Sequence, residues 1–139
     1  MTNWIRCIEP SGCPDELGVL QLAWLGDAVW ELYQRRRFCK QPAKGKDLHL
    51  SVVSLVKAEA QARALENLES SLTDIERKLV RRGRNKVGRG NRKVNIAIYG
   101  KATGFETLIG WLFLKNPNRL AHLFDRLEKI DSKNLKDLK

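Results

Sequence analysis

Along most of the chain apolar residues recur at steps of three and four, the period of a helix packed on one side. No stretch alternates with hairpin turn chemistry as a strand would. The spacing predicts a first helix over about 15–38, with Leu22, Leu25, Val29 and Leu32 as its apolar stripe. Pro42 and Gly45 mark a loop, and a second helical region covers Asp47–Leu68. Thr73 followed by Glu76 has the form of a capping box, so a third helix opens at Asp74 and is expected to end near Gly83. Residues 83–95, "GRNKVGRGNRKVN", read as a basic loop. A fourth helix follows over about 98–114, and a fifth begins at Pro117 behind the cap Asn116 and runs to about Ile130. The fold class is all-α, a compact helical bundle. It forms one domain over 1–139, with a core over about 17–130 and flexible ends at 1–14 and 131–139.

Two carboxylates stand out against this pattern. The stretch "LAWLGDAVWELY" (Leu22–Tyr33) carries Gly26 and Asp27 mid-helix. Glycine costs a helix interior about 1 kcal/mol relative to alanine, and a dry carboxylate costs more. On a helical wheel Asp27 points away from the stripe, near Ala23, Trp30 and Glu31. It is either an exposed acid on a two-sided helix or a ligand. The stretch "GFETLIGWLFL" (Gly104–Leu114) is apolar nearly all round, and Glu106 is its one charge. A buried ionised carboxylate is costly unless paired or bound to a cation. Glu106 is therefore salt-bridged, protonated or a metal ligand, and Gly110, one turn on, leaves room beside it. Two such acids from two helices would suit Mg²⁺, which takes one or two carboxylates together with waters and substrate phosphates. A bound ion of that kind could serve phosphodiester hydrolysis.

Charge narrows the choice of partner. The formal net charge is +10, and ten of the 26 Lys/Arg fall between Arg77 and Lys101 with no acid among them; the rest of the chain is balanced. A concentrated cationic segment is the footprint of a polyanion such as nucleic acid. Arg81, Arg82, Arg84, Lys86, Arg89, Arg92 and Lys93 are the candidate RNA-binding side chains. Other classes drop out. No apolar run reaches the roughly 18 residues needed to span a bilayer, and no signal-peptide pattern opens the chain. Cys7, Cys13 and Cys39 match no metal-binding spacing, which suits free thiols in a reducing cytoplasm. His49 and His122 lack ligand-like spacing.

"LAWLGDAVWELY" resembles the "LEFLGDAVL" signature of ribonuclease III domains, and "ATGFETLIGWLFL" resembles their second acidic motif. With "DLHLSVVSLVKAEAQA" (Asp47–Ala62) and "VRRGRN" (Val80–Asn85), the chain is similar to the Mini-III ribonucleases, which are ribonuclease III catalytic domains without a double-stranded-RNA-binding domain. The resemblance covers about 17–130, and no second domain is expected behind it. It implies a cytoplasmic, homodimeric, Mg²⁺-dependent endoribonuclease acting on double-stranded RNA in maturation of precursor large-subunit (23S) ribosomal RNA. Asp27 and Glu106 would then be both the catalytic and the metal-binding residues. Ala23 and Thr103 stand where the larger enzymes have acids, and Glu31 could compensate. The Trp30 side of the first helix is a candidate dimer interface. The alternative is a non-catalytic RNA-binding or ribosome-associated protein on the same fold.

Overall fold

The computed structural model describes residues 1–40, 45–47, 49, 53, 57–87 and 96–137. Among them the main elements are helices α1 (Asn3–Arg6), α2 (Val19–Phe38), α3 (Ala58–Leu68), α4 (Asp74–Lys86), α5 (Ile96–Lys115) and α6 (Pro117–Asp137), and there is no strand. The all-α expectation holds. Most of the second helical region before Ala58 lies outside the described residues.

α5 is the axis of the bundle. It packs against α2, α4 and α3 on successive sides, and α6 adds a further layer. Its nearly continuous apolar sequence follows from this position: Phe105, Leu108, Ile109 and Leu112 are each 1% exposed. An aromatic cluster ties the layers together. Trp30 of α2 meets Phe105 of α5 edge to face at 5.0 Å, and Tyr33 stacks on Phe124 of α6 at 4.2 Å. Such pairs contribute about 1 kcal/mol each beyond the area they bury.

Several boundaries differ from the sequence reading, each for a local reason. α2 starts at Val19, because Pro14–Glu16 forms a 3-10 turn and extended Gly18 caps the helix. The Thr73–Glu76 capping box forms, with Glu76 Oε1 accepting from the Thr73 amide at 2.9 Å. α4 does not stop at Gly83 but continues to Lys86. Gly83 is a packing residue, since a Cβ there would lie 2.6 Å from Thr107 Oγ1 and 2.7 Å from the Gly104 Cα. Arg84 and Lys86 therefore sit on a helix rather than in a loop. α6 extends through 131–137, past the expected end at Ile130. The N-terminal segment, expected to be flexible, is anchored: Ile5 is fully buried, and Arg6 donates to Asp125 at 2.6 Å.

The stripe on α2 is also redrawn. Leu22 and Val29 are buried, but Leu32 is 48% exposed, and Ala23, Gly26, Trp30 and Tyr33 complete the inner face. α5 and α4 pack against this helix, and Phe124 of α6 covers Trp30 and Tyr33, so one narrow stripe could not describe it. Trp30, 4% exposed in the aromatic cluster, cannot be an interface residue.

Candidate active site

The site begins at a helix crossing. A Cβ on Gly26 would lie 1.8 Å from the Glu106 carbonyl oxygen, and one on Gly110 would lie 2.0 Å from that of Leu22. The backbones of α2 and α5 thus touch at a pair of glycines, a contact that no side chain permits. The space beside Gly110 is filled by α2 and does not lie open next to Glu106. This contact accounts for glycine inside the "LGDAV" helix: it brings Asp27, the next residue, against Glu106.

Asp27 lies at the exposed edge of the buried arc of α2, and Glu106 is half-buried. Their carboxyl groups share a hydrogen bond. Burial, followed by the nearby Asp27 charge and that hydrogen bond, pushes the Glu106 carboxyl up to about 8. Burial and then the Glu31 charge raise Asp27, against which the hydrogen bond from Glu106 acts. Both shifts favour keeping a proton on the pair when no cation is bound. Among the described residues no Lys or Arg forms an ion pair with either acid. Among those residues the salt-bridged reading of Glu106 gives way to a carboxyl pair with Asp27.

The remaining candidates separate. Glu31 accepts from Arg35 at 2.7 Å, as a surface pair one turn apart. Thr103 lies one turn before Glu106 on α5, and its carbonyl accepts from the Thr107 hydroxyl. Arg81, Arg82, Arg84 and Lys86 are exposed on α4. They do not share one face: Arg81 and Arg84 line a groove with Arg77 on the α3 side, and the helical period carries Arg82 and Lys86 to another flank. Arg89, Arg92 and Lys93 lie outside the described residues. Among the described residues no group of three or more His, Cys, Asp or Glu side chains could hold a metal ion, and His122 is exposed on α6. No described helix is long and apolar enough to cross a membrane.

Sequence reasoning missed an exposed apolar ridge on α2. Trp24 is 81% exposed, with Leu20 and Leu32 at 57% and 48%. The signal was present, since Leu20, Trp24 and Leu32 fall on one row of four-residue steps.

The chain matches a known catalytic domain. Residues 20–117 match the Ribonuclease III domain family. A Mini-ribonuclease 3 of Synechocystis is 40% identical over 131 residues, covering 93% of this chain and 92% of its own. A Mini-ribonuclease 3 of Thermosynechococcus vestitus is 41% identical, covering 86% of this chain and 80% of its own. The crystal structure of a protein from Fusobacterium nucleatum superposes with a TM-score of 0.73 at 25% identity, covering 82% of this chain and 94% of that one. The chain therefore belongs to the ribonuclease III family, is similar to its Mini-ribonuclease 3 members, and is an endoribonuclease.

Proposed function

We propose that this endoribonuclease cuts double-stranded RNA with the help of Mg²⁺, that Asp27 and Glu106 are the catalytic and metal-binding residues, and that it acts as a cytoplasmic homodimer in maturation of precursor large-subunit ribosomal RNA. The observation that carries the metal reading is the hydrogen-bonded carboxyl pair, with which no Lys or Arg among the described residues forms an ion pair. The donor chemistry fits a hard divalent cation, which takes carboxylate oxygens and leaves its other positions to water and phosphate. Such an ion, when bound, polarises the scissile phosphate and lowers the pKa of a water. Asp27 and Glu106 would hold it. Glu106 must first release its proton, and the rigid glycine crossing keeps the two carboxyl groups at a fixed spacing.

The substrate reading rests on charge and on the family. Duplex RNA is read through phosphates, 2′-hydroxyls and shape, and the cationic side chains from Arg81 to Lys93 supply phosphate contacts. For the dimer, the Leu20–Trp24–Leu32 ridge replaces Trp30 as the interface. An exposed apolar ridge with a tryptophan at its centre suits a second copy, and a two-fold axis there brings two carboxyl pairs to one assembly. The test is cleavage of a duplex RNA with Mg²⁺, repeated with EDTA and with Asp27→Asn and Glu106→Gln. Loss of cutting in all three, with duplex binding retained, is the expected result. Cutting that persists in EDTA or in either variant overturns the metal reading.

A further inference from the structure

How many divalent ions the carboxyl pair can hold follows from how much negative charge the fold brings to it. Every acid of the chain except Asp137 has a described side chain, and among the described residues no third acid, cysteine or histidine joins Asp27 and Glu106 in a metal-holding group. The helix itself shows why. At the positions three and four residues either side of the two acids, which share their helix faces, only Glu31 is ionisable. Ala23 and Thr103, one turn before Asp27 and Glu106, bring a methyl and a hydroxyl. Trp30 and Ile109, one turn after, are buried in the apolar core. Glu31 is near enough for its charge to raise Asp27. Arg35, however, donates to it through two nitrogens, at 2.7 and 3.1 Å, so that charge is already answered.

We propose that the carboxyl pair takes a single Mg²⁺, with Asp27 and Glu106 as its only charged ligands from the chain, an inference that rests on the reading above. One divalent ion against two carboxylates is neutral, and its remaining positions go to water and a substrate phosphate. Sites that hold two metal ions set them roughly 3.5–4 Å apart. A second ion at that spacing would leave two positive charges in excess in a half-buried place, where repulsion is screened less than in water. A phosphate brings one negative charge and does not make up the difference. The clamp that a pair of ions places on both the attacking and the leaving oxygen is then not available. A third carboxylate from a second copy would raise the count, and the experiment separates that case.

The experiment titrates metal-free protein, without RNA, with Mn²⁺ at a pH above 8 and counts the bound ions by electron paramagnetic resonance. About one Mn²⁺ per chain is expected, with the resolved hyperfine pattern of an isolated ion, and none in Asp27→Asn. Glu31→Gln should leave the count unchanged. Thr103→Asp, which adds a carboxylate one turn from Glu106, should raise it to about two, with broadening from coupling between neighbouring ions. With RNA present, cutting at low Mg²⁺ should rise in first order with the ion. Two ions per chain in the wild type overturn the proposal, whether the added charge comes from Glu31 or from a second copy. Loss of the ion in Glu31→Gln, or a second-order dependence of cutting on Mg²⁺, also overturns it. A count that stays at one in a folded Thr103→Asp protein overturns the argument that charge sets the number, and the wild-type count decides the proposal even if that variant does not fold. No bound ion at all would sink the metal reading beneath it, so the two failures are distinguishable.

Discussion

Replacing Gly26 with alanine adds a single methyl group, and its consequence can be worked from the crossing of α2 and α5. The new Cβ would stand 1.8 Å from the Glu106 carbonyl oxygen, where ordinary contact begins at 3.4 Å. The neighbouring atom is backbone inside a long helix and cannot swing aside. The helices must part by roughly 1.6 Å, the difference between those distances. Alanine recovers about 1 kcal/mol of helix propensity, but overpacking costs about 1–3 kcal/mol, and here the strain falls on the best-buried interface of the molecule. A backbone clash this close puts the cost at the top of that range, so the net loss expected is about 2 kcal/mol in urea unfolding. The same movement carries Asp27 away from Glu106. A misplacement of about 1 Å can cost on the order of 100-fold in rate, so cutting of duplex RNA should fall far more than stability does. Gly110→Ala, which meets the Leu22 carbonyl oxygen at 2.0 Å, should behave alike. A Gly26→Ala protein that unfolds at wild-type urea concentration and cuts at the wild-type rate would refute the argument that backbone contact sets the carboxyl spacing.

Four further outcomes are expected. Glu106 is pushed up to about 8 and Asp27 is also raised, so the unfolded chain ionises first; metal-free stability from this pair is greatest at low pH and is lost as pH climbs from the ordinary carboxylate range through about 8. Conversely, Mg²⁺ must displace the Glu106 proton, so its affinity by calorimetry should weaken about tenfold for each pH unit below about 8, and a pH-independent affinity contradicts the shared proton. Trp24→Glu on the exposed ridge should sediment as a monomer, and an unchanged dimer mass removes the ridge as the interface. Arg119 clasps buried Glu76 at 2.9 Å through two nitrogens, so Arg119→Met should cost about 3 kcal/mol in urea unfolding, and a cost below about 1 kcal/mol would show that Glu76 finds other partners.

The helices were legible in the sequence wherever capping chemistry or a sustained apolar period marked them. Thr73–Glu76 opened α4, Pro117 opened α6, and the run from Phe105 to Leu114 announced a central helix. What failed was the meaning of glycine. Gly83 reads locally as a helix stop, and only the facing Gly104 and Thr107, some twenty residues on, make it a packing position. The wheel for α2 likewise placed Trp30 outside because its burial depends on Phe105 of α5 and Phe124 of α6, which are distant in sequence. Asp27 and Glu106 were singled out as costly charges on apolar helices, and the fold brings them together. That the pair shares a proton depends on spacing and burial, which no linear pattern contains. That Arg84 shares a flank with Arg81 was hidden by the expectation that α4 ends at Gly83.

The most direct test of the central claim is anomalous scattering from crystals soaked in Mn²⁺, which reports the ion itself as a stand-in for Mg²⁺. The expected result is a peak within coordination distance of both the Asp27 and Glu106 carboxylates, about 2.1 Å for a hard cation of this size, absent from crystals of Glu106→Gln. A map with no peak there, and with the two carboxyl groups still hydrogen-bonded to each other at a pH above 8, would contradict the account.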